Sequence, residues 1–310
     1  MIYFGIDSSN YRSSAAAFFD DNSYISCRKL LFVENGKCGL RQSDAVFLHT
    51  RQLPLVVSNV LEQIDTAKLK CVSVSSKPRN VEGSYMPCFL SGLALAKTLS
   101  SALSVPLLEF SHQDGHIASA LLSANRLDLL NKQFIAFHLS GGTTEALLVT
   151  PDNVGGFNCE IIAKTLDISV GQVIDRVGVM LGLSFPSGPE LEKLAINGLP
   201  LKNIRPSIKG TDCALSGAQN ICEKLLKNGE EIENIAATAI EYVTKTIIKM
   251  VLEIRKKYGD LPLVFSGGVV ANEYFKLNIS EQFDADFAST ELSGDNAVGV
   301  AFLGKLKMEK

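Results

Sequence analysis

The chain has 310 residues, 46% of them hydrophobic and 20% charged, with a formal net charge of −3. That length allows two units with separate cores, and the mixture is that of a globular protein rather than a disordered or fibrous one. The slight negative balance excludes a general attraction to polyanions, so contact with nucleic acid must come from a local patch, with Tyr and Phe as stacking residues because Trp is absent.

No run of about 18 apolar residues occurs, and the start is apolar rather than basic, so neither a membrane span nor an export signal is expected. The seven cysteines are an odd number and none are spaced C-x-x-C. They are expected to be free thiols in a reducing compartment, the cytoplasm.

In chain order, residues 2–6 read as an apolar strand ending at Asp7, residues 8–13 as a small-residue turn, and residues 14–19 as a second strand. Residues 44–64 predict a helix interrupted near Pro54. Residues 71–75 predict a short strand, residues 90–103 a helix rich in Leu and Ala, and residues 105–110 a strand feeding another helix. Ser111 can cap that helix, with Asp114 at the capping-acid position. His112 and His116 then lie one turn apart on the same side, a spacing that suits a divalent metal bound by two neutral imidazoles. A capped helix carrying two partly exposed histidines accounts for the same residues. A metalloprotease is excluded, because Gln113 stands where such enzymes need Glu as a base. His49 and His138 are expected to be structural.

Residues 134–149 repeat the opening pattern: a strand, the small-residue turn Ser140-Gly141-Gly142-Thr143-Thr144, and a second strand. The copies lie about 130 residues apart, too far for a solenoid repeat, and indicate a duplicated α/β protein with two halves facing across a ligand cleft. The glycines would let backbone N–H groups approach a phosphate, and the hydroxyls add donors. Residues 153–157 read as a turn. Residues 170–181 predict an amphipathic helix ended by Pro186 and Pro189. Asp175 lies at the edge of its apolar face, placed to accept from ribose hydroxyls or to pair with a base. Residues 185–190 form a stiff turn. Residues 230–258 predict a long helix and residues 263–265 a buried strand. Gly267 and Gly268 follow in a strand-to-helix turn that reads either as an anion site or as an ordinary tight turn. Asp295 precedes the last helix, as its cap or as an oxygen ligand beside the two imidazoles. The basic residues 305–310 are expected to fray.

Five stretches in one order carry a resemblance: His112-Gln113-Asp114-Gly115-His116, residues 139–144, residues 173–191, residues 267–272 and residues 294–297. Together they resemble the tRNA threonylcarbamoyl-adenosine synthases, once described as O-sialoglycoprotein endopeptidases. The resemblance implies a duplicated actin, hexokinase and heat-shock-ATPase-like fold, two lobes around a nucleotide cleft. Residues 1–130 would form the first lobe, joined by the C-terminal helix 297–310, and residues 131–296 the second. It implies iron or zinc held by His112, His116 and Asp295. It also implies an adenine nucleotide, threonylcarbamoyl-AMP or ATP, bound by Ser140, Gly141, Gly142, Thr143, Asp175, Gly188, Glu192 and Asn272, with Gly267 and Gly268 in the second loop. The implied reaction moves a threonylcarbamoyl group onto N6 of adenosine in tRNA. The implied partners are accessory proteins of a modification complex, with a homo- or heterodimer as the assembly. The chain departs from the family pattern at Thr143, where His is usual, at Glu192, where Asp is usual, across residues 8–12 and 76–83, and at residues 214–218, which lack the family's Lys. Two further readings stand beside it. One is a non-catalytic nucleotide-binding scaffold, favoured by the missing Lys and opposed by the retained ligand set. The other is a carbamoyltransferase or ATPase with another acceptor, for which Asp7 is the nearest carboxylate base.

Overall fold

Ile2–Ser9 (β1) is buried along all but its last residue, as a strand covered on both faces must be. Arg12–Phe19 (β2) pairs with it antiparallel, Ile2 opposite Phe19 and Ser9 opposite Arg12. Tyr24–Leu30 (β3) is more exposed and forms the edge. Next come Gln42–Leu61 (α1), Leu69–Lys77 (β4), Phe89–Leu103 (α2), Leu107–Ser111 (β5) and His112–Ser123 (α3). The computed structural model describes residues 1–9, 12–32, 40–152, 156–293 and 296–309.

A second set begins with Phe134–Leu139 (β6), Thr144–Pro151 (β7), Phe157–Lys164 (β8), Val170–Met180 (α4) and Gly188–Ala195 (α5). It continues with the small hairpin Ser207–Lys209 (β9) and Asp212–Ala214 (β10), then Ser216–Lys227 (α6), Ile232–Tyr258 (α7), Leu263–Ser266 (β11), Glu273–Ser280 (α8) and Ala285–Phe287 (β12). Thr290–Ser293 (α9) and Asn296–Met308 (α10) close the chain.

The described residues form two five-stranded sheets, ordered β3-β2-β1-β4-β5 and β12-β11-β6-β7-β8. The orders match when each is read from its opening strand. In both, the first strand pairs antiparallel with the second and parallel with the first strand to return, which pairs parallel with the next. Duplication read from two hairpins is therefore a property of whole sheets. One compact unit comprises Met1–Leu130, Pro151–Asn158 and Glu291–Lys310; the other comprises Asn131–Thr150 and Cys159–Thr290.

The first unit's core gathers Phe4, Ile6, Val72, Val74, Val57 and Ala96. α10 lies against β1 so closely that a Cβ on Gly5 would sit 2.2 Å from the Ala297 carbonyl oxygen. A Cβ on Gly299 would sit 2.0 Å from the Gly115 carbonyl oxygen, so α10 also meets α3 backbone to backbone. The second unit's core stacks Phe137 on Phe265, ring centroids 4.7 Å apart, under the apolar faces of α4 and α7.

Several expectations are corrected. α1 runs unbroken through Pro54, because Leu53, Val56, Val57 and Val60 bury one continuous face that outweighs the hydrogen bond Pro cannot donate. Pro186 and Pro189 do not end α4. The helix stops at Met180, where Gly182 takes φ +87°, Leu183 N–H donates to Gly178 O and Gly182 N–H to Val179 O, the glycine-dependent stop. Pro189 instead lies in the first turn of α5, where its missing N–H costs nothing. The basic end does not fray: α10 reaches Met308, and buried Lys305 donates to Asp20 O and Asn22 Oδ1. A short 3-10 turn, Gly268–Ala271, separates Gly267 from α8, so the glycines do not open that helix directly. The turn expected at 153–157 lies largely outside the described residues.

Candidate metal and nucleotide sites

β5 ends at Ser111, and α3 starts with a reciprocal cap. Ser111 Oγ accepts from Asp114 N at 3.1 Å, and Asp114 Oδ2 accepts from Ser111 N at 3.0 Å. The cap starts the helix at His112, and the i, i+4 spacing brings His112 and His116 together. Their rings meet edge to face with centroids 4.4 Å apart, and the two Nε2 atoms are 3.0 Å apart. Burial pushes the Asp114 carboxyl upward, against its hydrogen bonds from Ser111.

Behind His112 stands Asp7, near the end of β1. Its Oδ1 lies 2.8 Å from His112 Nδ1. Asn296 Nδ2, from the first turn of α10, lies 2.9 Å from the same oxygen, 2.7 Å from His112 Nδ1 and 3.2 Å from Ser75 Oγ. Asp7, Ser75 and Asn296 are all buried. Burial works against an ionised Asp7, but the imidazole and the hydrogen bonds from Ser75 and Asn296 prevail and hold its carboxyl well below the usual carboxylate range. Gly115 makes the room: a Cβ there would sit 2.3 Å from Asn296 Oδ1.

A His that gives its Nδ1 proton to a carboxylate keeps a lone pair on Nε2, the common arrangement around a metal-ligating imidazole. With His116 Nε2 3.0 Å from His112 Nε2, the pair brings two imidazole nitrogens together, a donor set that suits a divalent ion favouring nitrogen. Among the described residues no group of three His, Cys, Asp or Glu could hold an ion. Asp295, the expected oxygen ligand, lies outside the described residues, as does Gly294.

In the second unit, residues 140–143 close the β6–β7 hairpin. Ser140 N–H donates to Thr143 O at 2.8 Å, and Ser140 Oγ accepts from Gly142 N and Thr143 N. Gly141 and Gly142 are exposed. The turn rests on the start of α4: Ser169 Oγ donates to Gly141 O, and a Cβ on Gly171 would sit 2.6 Å from the Gly141 backbone. Gly267, at φ +103°, packs against the adjacent strand end, where a Cβ would sit 2.2 Å from Leu139 O. The two glycine turns thus meet at neighbouring ends of β6 and β11.

Asp175 Oδ1 accepts from Ser187 N at 2.9 Å and ties α4 to the start of α5, which begins at Gly188. Glu192 Oε1 accepts from Glu273 N at 2.8 Å, and Asn272 Oδ1 caps α8 through Phe275 N. Beside them, Pro189, Glu192, Ile196, Ile240, Tyr274 and Leu277 help to line a cavity of about 540 Å³. The sequence had assigned Glu192 and Asn272 by motif, without their shared task of holding the first turn of α8.

His49 is buried, with Ser13 Oγ 2.8 Å from Nδ1 and Ser9 O 2.7 Å from Nε2, a structural residue as read. His138 Nδ1 meets Ser266 Oγ at 3.2 Å. The partners of His112 were the miss. The sequence offers Asp7 only as the carboxylate base of an ATPase-type reading, and it singles out neither Ser75 nor Asn296. The available signal was an acid ending a wholly apolar strand, a position that obliges a buried charge to find a partner.

A family model described as TsaD, tRNA N6-adenosine threonylcarbamoyltransferase, matches residues 38–302. Relatives of the same description include one from Dictyoglomus turgidum, 31% identical over 91% of this chain and 84% of its own length. One from Kosmotoga olearia is 32% identical over 80% and 76%. One from Methanopyrus kandleri is 26% identical over 100% and 88%. Similar solved structures include component A of the Acidaminococcus fermentans (R)-2-hydroxyglutaryl-CoA dehydratase, with TM-score 0.58 at 15% identity over all of both chains. Another is a ROK family glucokinase from Streptomyces griseus, with TM-score 0.54 at 8% identity over all of both chains. Likeness at that identity shows the fold: a duplicated α/β protein of the actin and hexokinase type.

Proposed function

The chain belongs to the tRNA N6-adenosine threonylcarbamoyltransferase family, and from that membership we propose that it moves a threonylcarbamoyl group from threonylcarbamoyl-AMP to N6 of an adenosine in tRNA. The N6 amine attacks the carbamoyl carbon, the bond from that carbon to the AMP phosphate oxygen breaks, and N6 gives up a proton. Beyond family membership, the observation that carries the reading is the His112–His116 pair, aimed by its cap and backed by a carboxylate. His112 and His116, with Asp295, would hold one iron or zinc ion, whose chemistry when bound is Lewis acidity toward carbonyl or phosphate oxygens.

The second unit supplies the nucleotide site. The side-chain-free Gly141 and Gly142 let a phosphate approach the backbone, beside Ser140 and Thr143. Gly267 and Gly268 form the neighbouring wall. Asp175 keeps its second carboxylate oxygen for ribose hydroxyls. The apolar cavity of about 540 Å³ beside Gly188, Glu192 and Asn272 has the size and character for adenine. Holding both reactants removes much of the entropic barrier to transfer. tRNA is the acceptor, and accessory proteins of a modification complex, in a homo- or heterodimer, are the partners. The cytoplasm is the site of action; no described helix is long and apolar enough to cross a membrane.

The test is incubation of the purified, metal-loaded chain and its accessory proteins with tRNA and threonylcarbamoyl-AMP. Nucleosides from the digested tRNA are then measured by mass spectrometry. N6-threonylcarbamoyladenosine is expected. Its absence, with nucleotide still bound, leaves the scaffold reading.

A further inference from the structure

The transfer reaction asks nothing of Asp7 and Asn296 at either reactant, although both are buried and polar. We propose that these two residues form a positioning clamp for His112, which fixes the proton on Nδ1 and presents Nε2 as a ligand. The inference rests on the reading of His112 and His116 as metal ligands.

An imidazole can offer either nitrogen to an ion, and its other nitrogen's partner decides which. Here that partner is a carboxylate oxygen, Asp7 Oδ1, 2.8 Å from Nδ1. An ionised carboxylate only accepts, so the proton between them belongs to the ring. Asn296 holds the carboxylate rather than the ring. Its Nδ2 donates to Asp7 Oδ1 at 2.9 Å, and its 2.7 Å approach to Nδ1 is a contact that the carboxylate oxygen, as acceptor for both groups, must offset. The reversed amide would set its own oxygen against the Asp7 carboxylate. The adopted orientation leaves Asn296 Oδ1 buried without a hydrogen-bond partner, a cost with a purpose if Nδ2 must face Asp7.

Packing removes the remaining freedom. The Phe89 ring lies against His112, centroids 5.6 Å apart. The close approach of α10 to α3 at Gly115 and Gly299 fixes the height of Asn296 on the ring. With Nδ1 held from behind, Nε2 faces His116 Nε2 at 3.0 Å.

The test uses the full chain in three forms: unaltered, Asp7→Asn and His112→Ala. In metal-free protein, long-range proton–nitrogen NMR correlations report which His112 nitrogen carries hydrogen. The clamp requires Nδ1–H in the unaltered chain and a mixture in Asp7→Asn. Zinc affinity, measured by competition with a chromogenic chelator, is expected to fall about 10- to 100-fold in Asp7→Asn, the effect usual for losing a ligand's supporting hydrogen bond. It should be abolished in His112→Ala. Unchanged zinc binding in His112→Ala overturns the metal reading itself. Loss in His112→Ala with full affinity and an intact Nδ1–H signal in Asp7→Asn overturns the clamp alone. Should Asp7→Asn fail to fold, the unaltered spectrum decides, since a proton on His112 Nε2 contradicts the proposal.

Discussion

Gly115 is small because Asn296 fills the space a side chain would take. An alanine there would place its Cβ 2.3 Å from Asn296 Oδ1 and 2.7 Å from Asn296 Cγ, in a buried contact. Gly115→Ala is therefore expected to cost about 1–3 kcal/mol of stability, the usual penalty of overpacking, as read by urea unfolding. It should also weaken zinc binding by displacing Asn296 from Asp7. Unchanged stability and affinity would mean that the amide moves aside freely. Thiol chemistry follows the same logic of single residues. Burial pushes the Cys71 and Cys88 thiols up to about 11 and those of Cys213 and Cys222 up to about 12. The thiolate is the reactive form, so among the described cysteines iodoacetamide at neutral pH should label the half-buried Cys27 and Cys159 before the buried four. The buried four should react only in denaturant. Prompt native labelling of Cys213 or Cys222 would contradict their placement.

Among the elements, the loop before α6 is anchored by one carboxylate. Asp167 Oδ1 accepts from Ile168 N and Leu215 N, each at 2.7 Å, and Oδ2 from Ser216 N at 3.0 Å. Partial burial raises its pKa, but these donors outweigh it and bring the carboxyl from 3.8 down to about 2. A carboxyl whose pKa is lower folded than unfolded stabilises the fold when ionised. The contribution is complete above about pH 4 and disappears as pH falls toward 2. Asp167→Asn should therefore lower the urea midpoint at pH 7 and make no difference near pH 2. An equal deficit at both pH values would remove the charge from the explanation. Long elements such as α1, α7 and the two opening hairpins were legible, because periodic burial writes itself into many residues. The hairpin of β9 and β10, the short β12 and helix α5 were not, since three to eight residues carry little periodicity and Pro189 can open a helix as well as end one. The His112–His116 pair was legible from spacing within one helix. Its partners Asp7 and Asn296 lie 105 and 184 residues away in sequence, and only the sheet and the glycine contacts bring them near.

The molecule as a whole is one topology used twice, with different side chains at corresponding strand ends. Near the end of β1 an acid meets a histidine, whereas β6 leads into a turn that exposes Gly141 and Gly142. Ligand stabilisation should expose that division of labour, because whatever binds only the folded state raises its stability. An adenine nucleotide should raise the melting temperature of the His112→Ala, His116→Ala double variant as much as that of the unaltered chain, and zinc should raise only the latter. The central claim is that this chain modifies tRNA through the two histidines. The most direct measurement is nucleoside mass spectrometry of tRNA from cells depleted of their own threonylcarbamoyltransferase and supplied with this chain. The unaltered chain is expected to restore N6-threonylcarbamoyladenosine, and the double variant, accumulated to the same level, to leave it absent. Equal restoration by both would contradict the account.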